Sequence, residues 1–409
     1  MTPERGTYDT GTSVGTAVLP DPPRYWSYSA LTDYEKCPTH YLLARAGYPQ
    51  LWERKGFPPK PTVASLAGQT VHQAIETIVR ELAKAGFPSS DSADFVEVLR
   101  RLGGFSAVVE GAATQAMGTL EGNPRTSLEY RNRLQIKMEE TLSHCRATVQ
   151  SILSRFELGD APKTRQERGV FIERMADIPR SRASIGIHPE YTLTAERLRL
   201  TGRLDLLQVG TDGVAIIDYK TGEPSPEHED QVRFYLVLWC NDEVANPDRI
   251  PVRRLILSYP DGDMTVSVPL SDVVSTIETE LVRRIAEADS GVRTGETVGR
   301  PGGQCTGCLV RGICQDYWAM AVPHPSRVNP QEWFDLEGTL DQAHASRSRW
   351  IVADSGERLL LRYSTESLAH HPSGQRVRML GVLRDVDPDD GTMVAIVTPS
   401  TEILGSTIR

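Results

Sequence analysis

No run in this sequence approaches the ~20 consecutive apolar residues needed to cross a bilayer, so no membrane partner is expected. The opening MTPERGTYDTGTSVGTAVLPDPPR lacks the basic-then-apolar order of a secretory signal. Rich in Gly, Thr and Pro, it reads as a disordered lead-in over residues 1–25 of a cytoplasmic protein. There is no internal repeat and no Gly-x-x-x-x-Gly-Lys-[Ser/Thr] phosphate loop, which argues that the chain does not hydrolyse ATP itself. Lysine is scarce, with seven residues beside 38 arginines. A basic balance is missing too: the net charge is -9 and the pI about 5.6. This excludes a globally cationic nucleic-acid binder but leaves room for a local basic groove on an acidic protein.

What is present is ordinary for a soluble globular protein, with 39% hydrophobic and 24% charged residues in a length of 409 that holds two or three domains. WSYSALTDYEKCPTHYLLARAG has helical spacing behind a Ser29 N-cap, and GFPPKPT breaks it. VASLAGQTVHQAIETIVRELAKAG predicts a long amphipathic helix, and residues 90–160 more helix with a break at EGNPRTS. From about 168 the period changes to strands: GVFIERM, the stretch ASIGIHPEYTLTAERLRLTGRLDLLQVG, and VAIIDYKTG after a TDG turn. EHEDQVRFYLVLWC and SDVVSTIETELVRRIAEADSG are helical, with strands VRRLILSYP and MTVSVPL between them. After AVPHPSRVNP the segments RWIVAD, ERLLLRYST, GQRVRMLGVLRD and TMVAIVTP predict a small separate β domain over 325–409.

The stretch TGRLDLLQVGTDGVAIIDYKTG carries the chemistry. If a two-residue turn centred on Thr211–Asp212 or Asp212–Gly213 joins its strands, Asp205 and residue 207 share a face with Asp218 and Lys220. An odd-length loop without a bulge would separate them. Two close carboxylates suit a hard divalent cation such as Mg²⁺ or Mn²⁺, and a lysine beside them can orient water or offset developing charge. Lys220 is the last lysine of an arginine-biased chain, which hints at a need for a compact ammonium. The plainer reading is a surface hairpin with an ordinary Asp–Lys pair. Gly68 and His72 lie four apart on one helix face, so His72 is either a third metal ligand or a satisfied core histidine. Glu190 in HPEYTL is by itself a surface charge, and Gln231 and Tyr235 share a helix face from which they could touch a nucleic-acid strand or pack.

Taken in order, Gly68/His72, Glu190, Gly202/Asp205, Asp218/Lys220 and Gln231/Tyr235 resemble the RecB-like branch of the PD-(D/E)XK nuclease superfamily, and YSALTDYEKCPTHYLL resembles that branch's N-terminal helix. The resemblance spans roughly residues 26–320. It implies an α/β fold with a restriction-endonuclease-like mixed sheet flanked by helices, a nuclease domain over 26–322 and a helical insertion over about 88–165. It implies His72, Asp205, Asp218 and the Tyr219 backbone carbonyl as metal ligands, Asp205, Asp218 and Lys220 as catalytic residues, Glu190 in support, and Gln231 and Tyr235 on the nucleic acid.

QCTGCLVRGIC packs Cys305, Cys308 and Cys314 into eleven residues, one thiolate short of a four-ligand site. In a reducing compartment such clustering points to metal rather than disulfide. A subset of these nucleases, including those similar to CRISPR-associated RecB-like exonucleases, holds a [4Fe–4S] cluster with one early and three late cysteines. The resemblance makes Cys37 the fourth ligand, and the cluster a staple between the two ends of the domain. A Cys₄ zinc site would use the same four residues. Cys145 and Cys240 sit in apolar helical contexts and read as buried free thiols.

The last domain suggests a small barrel of OB-like type, either a grip on single strands or a protein-docking module. The leading expectation is a metal-dependent deoxyribonuclease, an exonuclease acting on single-stranded DNA or DNA ends. It would serve DNA repair, recombination or anti-phage defence, with a separate helicase or defence-system protein as partner. The rivals are a non-catalytic DNA-binding or scaffold protein on a nuclease fold, and a zinc-stapled regulatory protein.

Overall fold

The structure, a computed structural model, describes residues 7–85, 93–155, 180–363, 368 and 371–405. β1 (Thr7–Asp9) and β2 (Thr16–Val18) pair antiparallel, which corrects the disordered lead-in for residues 7–25. Thr10, Thr12, Val14, Ala17 and Leu19 are buried there, and Ser13 N donates to Gly405 O at 2.5 Å. The composition resembles disorder because the segment cannot build a core of its own. It is held by contacts with the far end of the chain, which local sequence does not display.

α1 (Tyr28–Lys36) is capped by Ser27, whose side chain accepts from Ala30 N, so Ser29 lies in the first turn rather than at the cap. α2 (Pro38–Arg45) follows at once, with Cys37 as N-cap and Pro38 in the first turn, where its missing N–H costs nothing. α3 (Val63–Lys84) opens on a capping box between Thr62 and Ser65. α4 (Ala93–Arg101), α5 (Gly104–Gly118) and α6 (Leu128–Ser154) pack on α3. The strand expected at GVFIERM lies outside the described residues.

The central sheet is mixed, in the order β3 (Gly186–Ala195), β4 (Leu200–Val209), β5 (Val214–Tyr219), β6 (Val252–Tyr259) and β7 (Gly262–Val266). Only β5 and β6 are parallel, and α7 (Pro226–Asn241) is their crossover, as a parallel pair requires. α8 (Ser271–Thr294) follows the sheet. One core joins α7 and α8 to Leu204, Leu207, Ile216 and Leu255, and a second joins α3 to Ile187, Leu206 and Tyr219. The architecture is α/β, a sheet with helices packed on it.

α9 (Gln315–Met320) leads from the cysteine segment to the last domain. There β8 (Trp333–Ala345), β9 (Ser348–Ala353), β10 (Arg358–Tyr363), β11 (Arg376–Val386) and β12 (Met393–Val397) close a five-stranded barrel. Its order is β8-β9-β10-β12-β11 and back to β8, with β10 and β12 parallel and every other pair antiparallel. β13 (Glu402–Gly405) adds to the outside of β11. Sequence reading missed β8, whose WFDLEGTLDQAHA is dense in residues depleted from strands.

Candidate functional site

The β4–β5 hairpin pairs Leu206 with Ile217 and Val209 with Val214, and Gly210 N donates to Gly213 O at 2.9 Å. This is the two-residue turn centred on Thr211–Asp212, and its register continues to set Asp205 across from Asp218. On the other side of β4, the pairs Pro189–Leu206 and Tyr191–Leu204 bracket Glu190 opposite Asp205. Glu190 has φ 52, in the left-handed region. That conformation costs a non-glycine residue about 1–3 kcal/mol and tends to be retained at functional sites.

α3 brings His72 to this place. Its Nδ1 lies 3.6 Å from Asp205 Oδ1, while Asp205 Oδ2 accepts from Tyr219 N at 2.7 Å. One ligand atom each from His72, Glu190 and Asp205 fall within 4.8 Å of one another. The trio includes Glu190, expected only in support, and beside it Asp218 Oδ2 meets Lys220 Nζ at 2.5 Å. Glu190 Oε2 pairs with Arg203 Nε at 2.6 Å, a partner sequence reasoning missed because an arginine two residues before Asp205 carries no signal of its own.

The electrostatics describe a crowded anionic site. Burial pushes the Asp218 carboxyl up to about 6, reinforced by the Asp205 charge and opposed by Lys220. Burial also raises Glu190, with Asp205 and Glu76 adding to it against Arg203. For His72 burial opposes charge, but the Asp205 hydrogen bond and the charges of Asp205, Asp218 and Glu190 outweigh it and the imidazole is raised. An imidazole nitrogen among carboxylates whose repulsion a dication would relieve is a donor set that fits a divalent metal.

Lys220 Nζ donates to Gln231 Oε1 at 2.7 Å, and Gln231 Nε2 donates to Tyr235 Oη at 2.7 Å. Both residues come from α7, and Tyr235 is buried. The helix face expected to touch a strand thus presents a relay to Lys220. Gly202 lets α7 sit this close: a Cβ there would stand 2.8 Å from Leu238 Cδ1 and 3.0 Å from Tyr235 Cε1. Gly68 is less demanding, since its Cβ would meet only Thr221 Oγ1 at 3.5 Å.

Cys37, Cys305, Cys308 and Cys314 line one pocket together with His40, Arg300, Arg311 and Tyr317, and all four are free thiols. Among the described residues no three of the sulfurs lie within 4.8 Å of one another. Four thiolates on one zinc, each ~2.3 Å from the metal, would stand about 3.8 Å apart. The same four residues could hold one zinc or a cluster in which each thiolate takes its own iron. Burial pushes Cys314 up to about 12 and raises Cys308, and neighbouring sulfurs add to both while Arg311 opposes the rise at Cys308. Cys145 is buried as expected, whereas Cys240 is exposed on α7, because the apolar run around it faces the sheet and residue 240 does not.

The pocket is braced from the barrel. Asp335 accepts from Arg311 Nε at 2.7 Å, Tyr317 Oη at 2.8 Å and Gly381 N at 2.8 Å. Arg125 forms a bidentate pair with Glu402, 2.8 Å on each arm, and donates to Pro58 O at 2.7 Å and Leu309 O at 3.1 Å. Among the described residues no helix is long and apolar enough to cross a membrane.

Three solved structures align with parts of the chain. SSO0001 is 24% identical over 28% of this chain and 50% of its own, at a TM-score of 0.19. Fission yeast Pot1 with ssDNA is 9% identical over 50% and 61%, at 0.19, and a murine DNA binding protein bound with ds DNA is 8% identical over 55% and 96%, at 0.17. The chain thus spans about half to three fifths of the first two, and likenesses this slight bear on neither its fold nor its activity. No curated protein matches it. The family model described as the PD-(D/E)XK nuclease superfamily matches residues 25–315, which takes in the hairpin, His72 and all four pocket cysteines. The chain belongs to the PD-(D/E)XK nuclease superfamily.

Proposed function

We propose that this protein is a metal-dependent deoxyribonuclease of the RecB-like branch, an exonuclease that hydrolyses phosphodiester bonds at single strands or DNA ends. The observation that carries the reading is the buried Asp218–Lys220 pair facing Asp205, with His72 and Glu190 converging on the same carboxylate. His72, Asp205 and Asp218 hold a Mg²⁺ or Mn²⁺ ion with the Tyr219 backbone carbonyl, and Glu190 joins that set. When bound, the ion supplies a Lewis acid for the scissile phosphate and lowers the pKa of water. Lys220, held by Gln231 and Tyr235, orients the attacking water and offsets charge on the phosphate oxygens. Asp205 meanwhile keeps the His72 ring and the Tyr219 backbone in place. An intact lysine and ligand set favours an enzyme over a scaffold on the same fold.

The four cysteines hold a [4Fe–4S] cluster that staples α1–α2 to the segment before α9. The one-early, three-late order of Cys37, Cys305, Cys308 and Cys314, and their meeting in one pocket, support this reading. We read residues 26–322 as the nuclease domain and 325–409 as an OB-like barrel, whose strand order and parallel β10–β12 pair support that type. The chain acts in the cytoplasm in DNA repair, recombination or anti-phage defence, and a separate helicase or defence-system protein supplies its strands.

The test is cleavage of end-labelled single- and double-stranded DNA, and of RNA, with and without Mn²⁺, beside Asp218→Ala. Metal-dependent shortening from ends, lost in the variant, is the expected result. No cleavage of any substrate by the wild type would leave the scaffold reading in its place, and cleavage confined to RNA would replace the substrate class.

A further inference from the structure

His40 lines the cysteine pocket and touches sulfur from both halves of the staple. Its backbone N lies 3.5 Å from Cys37 Sγ, in the first turn of α2, and its ring Nδ1 lies 3.2 Å from Cys308 Sγ. Cys37 belongs to the early segment and Cys308 to the late one, so a single residue touches sulfur on either side of the join. We propose that His40 is a positioning residue for the iron–sulfur centre, donating N–H···S hydrogen bonds to Cys37 and Cys308 that set the centre's reduction potential and hold its two ligand segments together. The inference rests on the iron–sulfur reading given above.

The chemistry decides the direction of the ring bond. A ligating cysteine is a thiolate with no proton to give, so the imidazole must be the donor and its Nδ1 carries the hydrogen. The Nε2 then remains as acceptor. A donor aimed at a cluster sulfur stabilises the more negative, reduced state over the oxidised one, because the bond strengthens as charge accumulates on sulfur. The backbone bond to Cys37 is independent of the side chain, whereas the ring bond is not, so substitution isolates the Cys308 contact. Asparagine is the conservative replacement: its amide nitrogen occupies the place of Nδ1 and donates, while phenylalanine fills the ring's volume and donates nothing.

The experiment is a mediator redox titration of the anaerobically purified full-length chain, followed by EPR and by absorbance near ~400 nm, with iron and zinc assayed on each sample. His40→Phe is expected to keep its iron and to shift the reduced-to-oxidised ratio about tenfold towards oxidised at fixed potential, ~59 mV for a one-electron couple. His40→Asn is expected to recover most of that shift. His40→Phe that loses iron while His40→Asn keeps both iron and the wild-type potential supports the same role. Unchanged potential and iron in His40→Phe would overturn the inference and leave the cofactor reading intact, as would loss of iron in both variants, which makes His40 a ligand or a packing element instead. Stoichiometric zinc in the wild type would overturn the cofactor reading and this inference with it.

Discussion

Gln231→Met is the sharpest probe of how α7 serves the reaction. The substitution keeps the length and approximate volume of the side chain but removes two bonds: Lys220 Nζ to Gln231 Oε1 and Gln231 Nε2 to Tyr235 Oη, both 2.7 Å. The first involves a charged donor, a class that contributes about 1.5–3 kcal/mol. Among the described residues the Lys220 ammonium then keeps its 2.5 Å pair with Asp218, which draws it towards the carboxylate instead of holding it at a fixed distance from the substrate phosphate. At 1.36 kcal/mol per tenfold in rate, this bond is equivalent to a fall of roughly 10- to 150-fold in kcat. Tyr235→Phe removes only the outer, neutral bond, for which about 0.5–1.5 kcal/mol translates to a loss of roughly 2- to 12-fold. Neither residue is in the proposed ligand set, so Mn²⁺ affinity should hold in both variants. Single-turnover cleavage on saturating single-stranded DNA gives the rates, Mn²⁺ titration gives the metal term, and a thermal melt checks that the Tyr235 hydroxyl left behind has not unfolded α7. A larger loss in Tyr235→Phe than in Gln231→Met would refute the relay, and so would a Gln231→Met defect that excess Mn²⁺ repairs.

Three further outcomes follow from the same geometry. Lys220→Arg should be as inactive as Lys220→Ala in cleavage assays, since a planar guanidinium cannot fit the compact space between Asp218 and Gln231; wild-type cleavage would remove the lysine from the reaction. Arg125→Met, which leaves the half-buried Glu402 carboxylate with Lys60 Nζ at 3.7 Å as its remaining cation, should cost less in urea unfolding than the ~3–5 kcal/mol of a buried pair broken outright, and Arg125→Met with Glu402→Leu should cost less than the two single changes summed; costs that simply add would show the pair to be uncoupled. DNA affinity should fall steeply between ~50 and ~200 mM salt if arginines line a phosphate-tracking groove on this chain of net charge -9; a flat salt response measured by fluorescence anisotropy would exclude such a groove.

The order of chemical groups along the chain was legible before any fold was known. Asp205, Asp218 and Lys220 could be placed on one face because strand alternation has a period of two and TDG closes a two-residue turn, and the structure has that register. The four cysteines could be grouped because three lie close in sequence, and a family resemblance named the fourth. Local sequence does not say which atoms meet across long separations. That Glu190 stands in the trio depends on its left-handed backbone opposite Asp205, and that Gln231 and Tyr235 reach Lys220 depends on Gly202 admitting α7 against the sheet. That His40 touches Cys308 depends on two segments from opposite ends of the chain being packed into one pocket. The same reason accounts for residues 7–25 and β8: their composition carries no strand signal, and their order comes from partners far away in sequence, Gly405 for the first and the closing barrel for the second. Sequence determines what each residue can do within a turn or a strand. Only tertiary packing decides which of those residues become neighbours, because burial and hydrogen bonding between distant segments are properties of the closed chain.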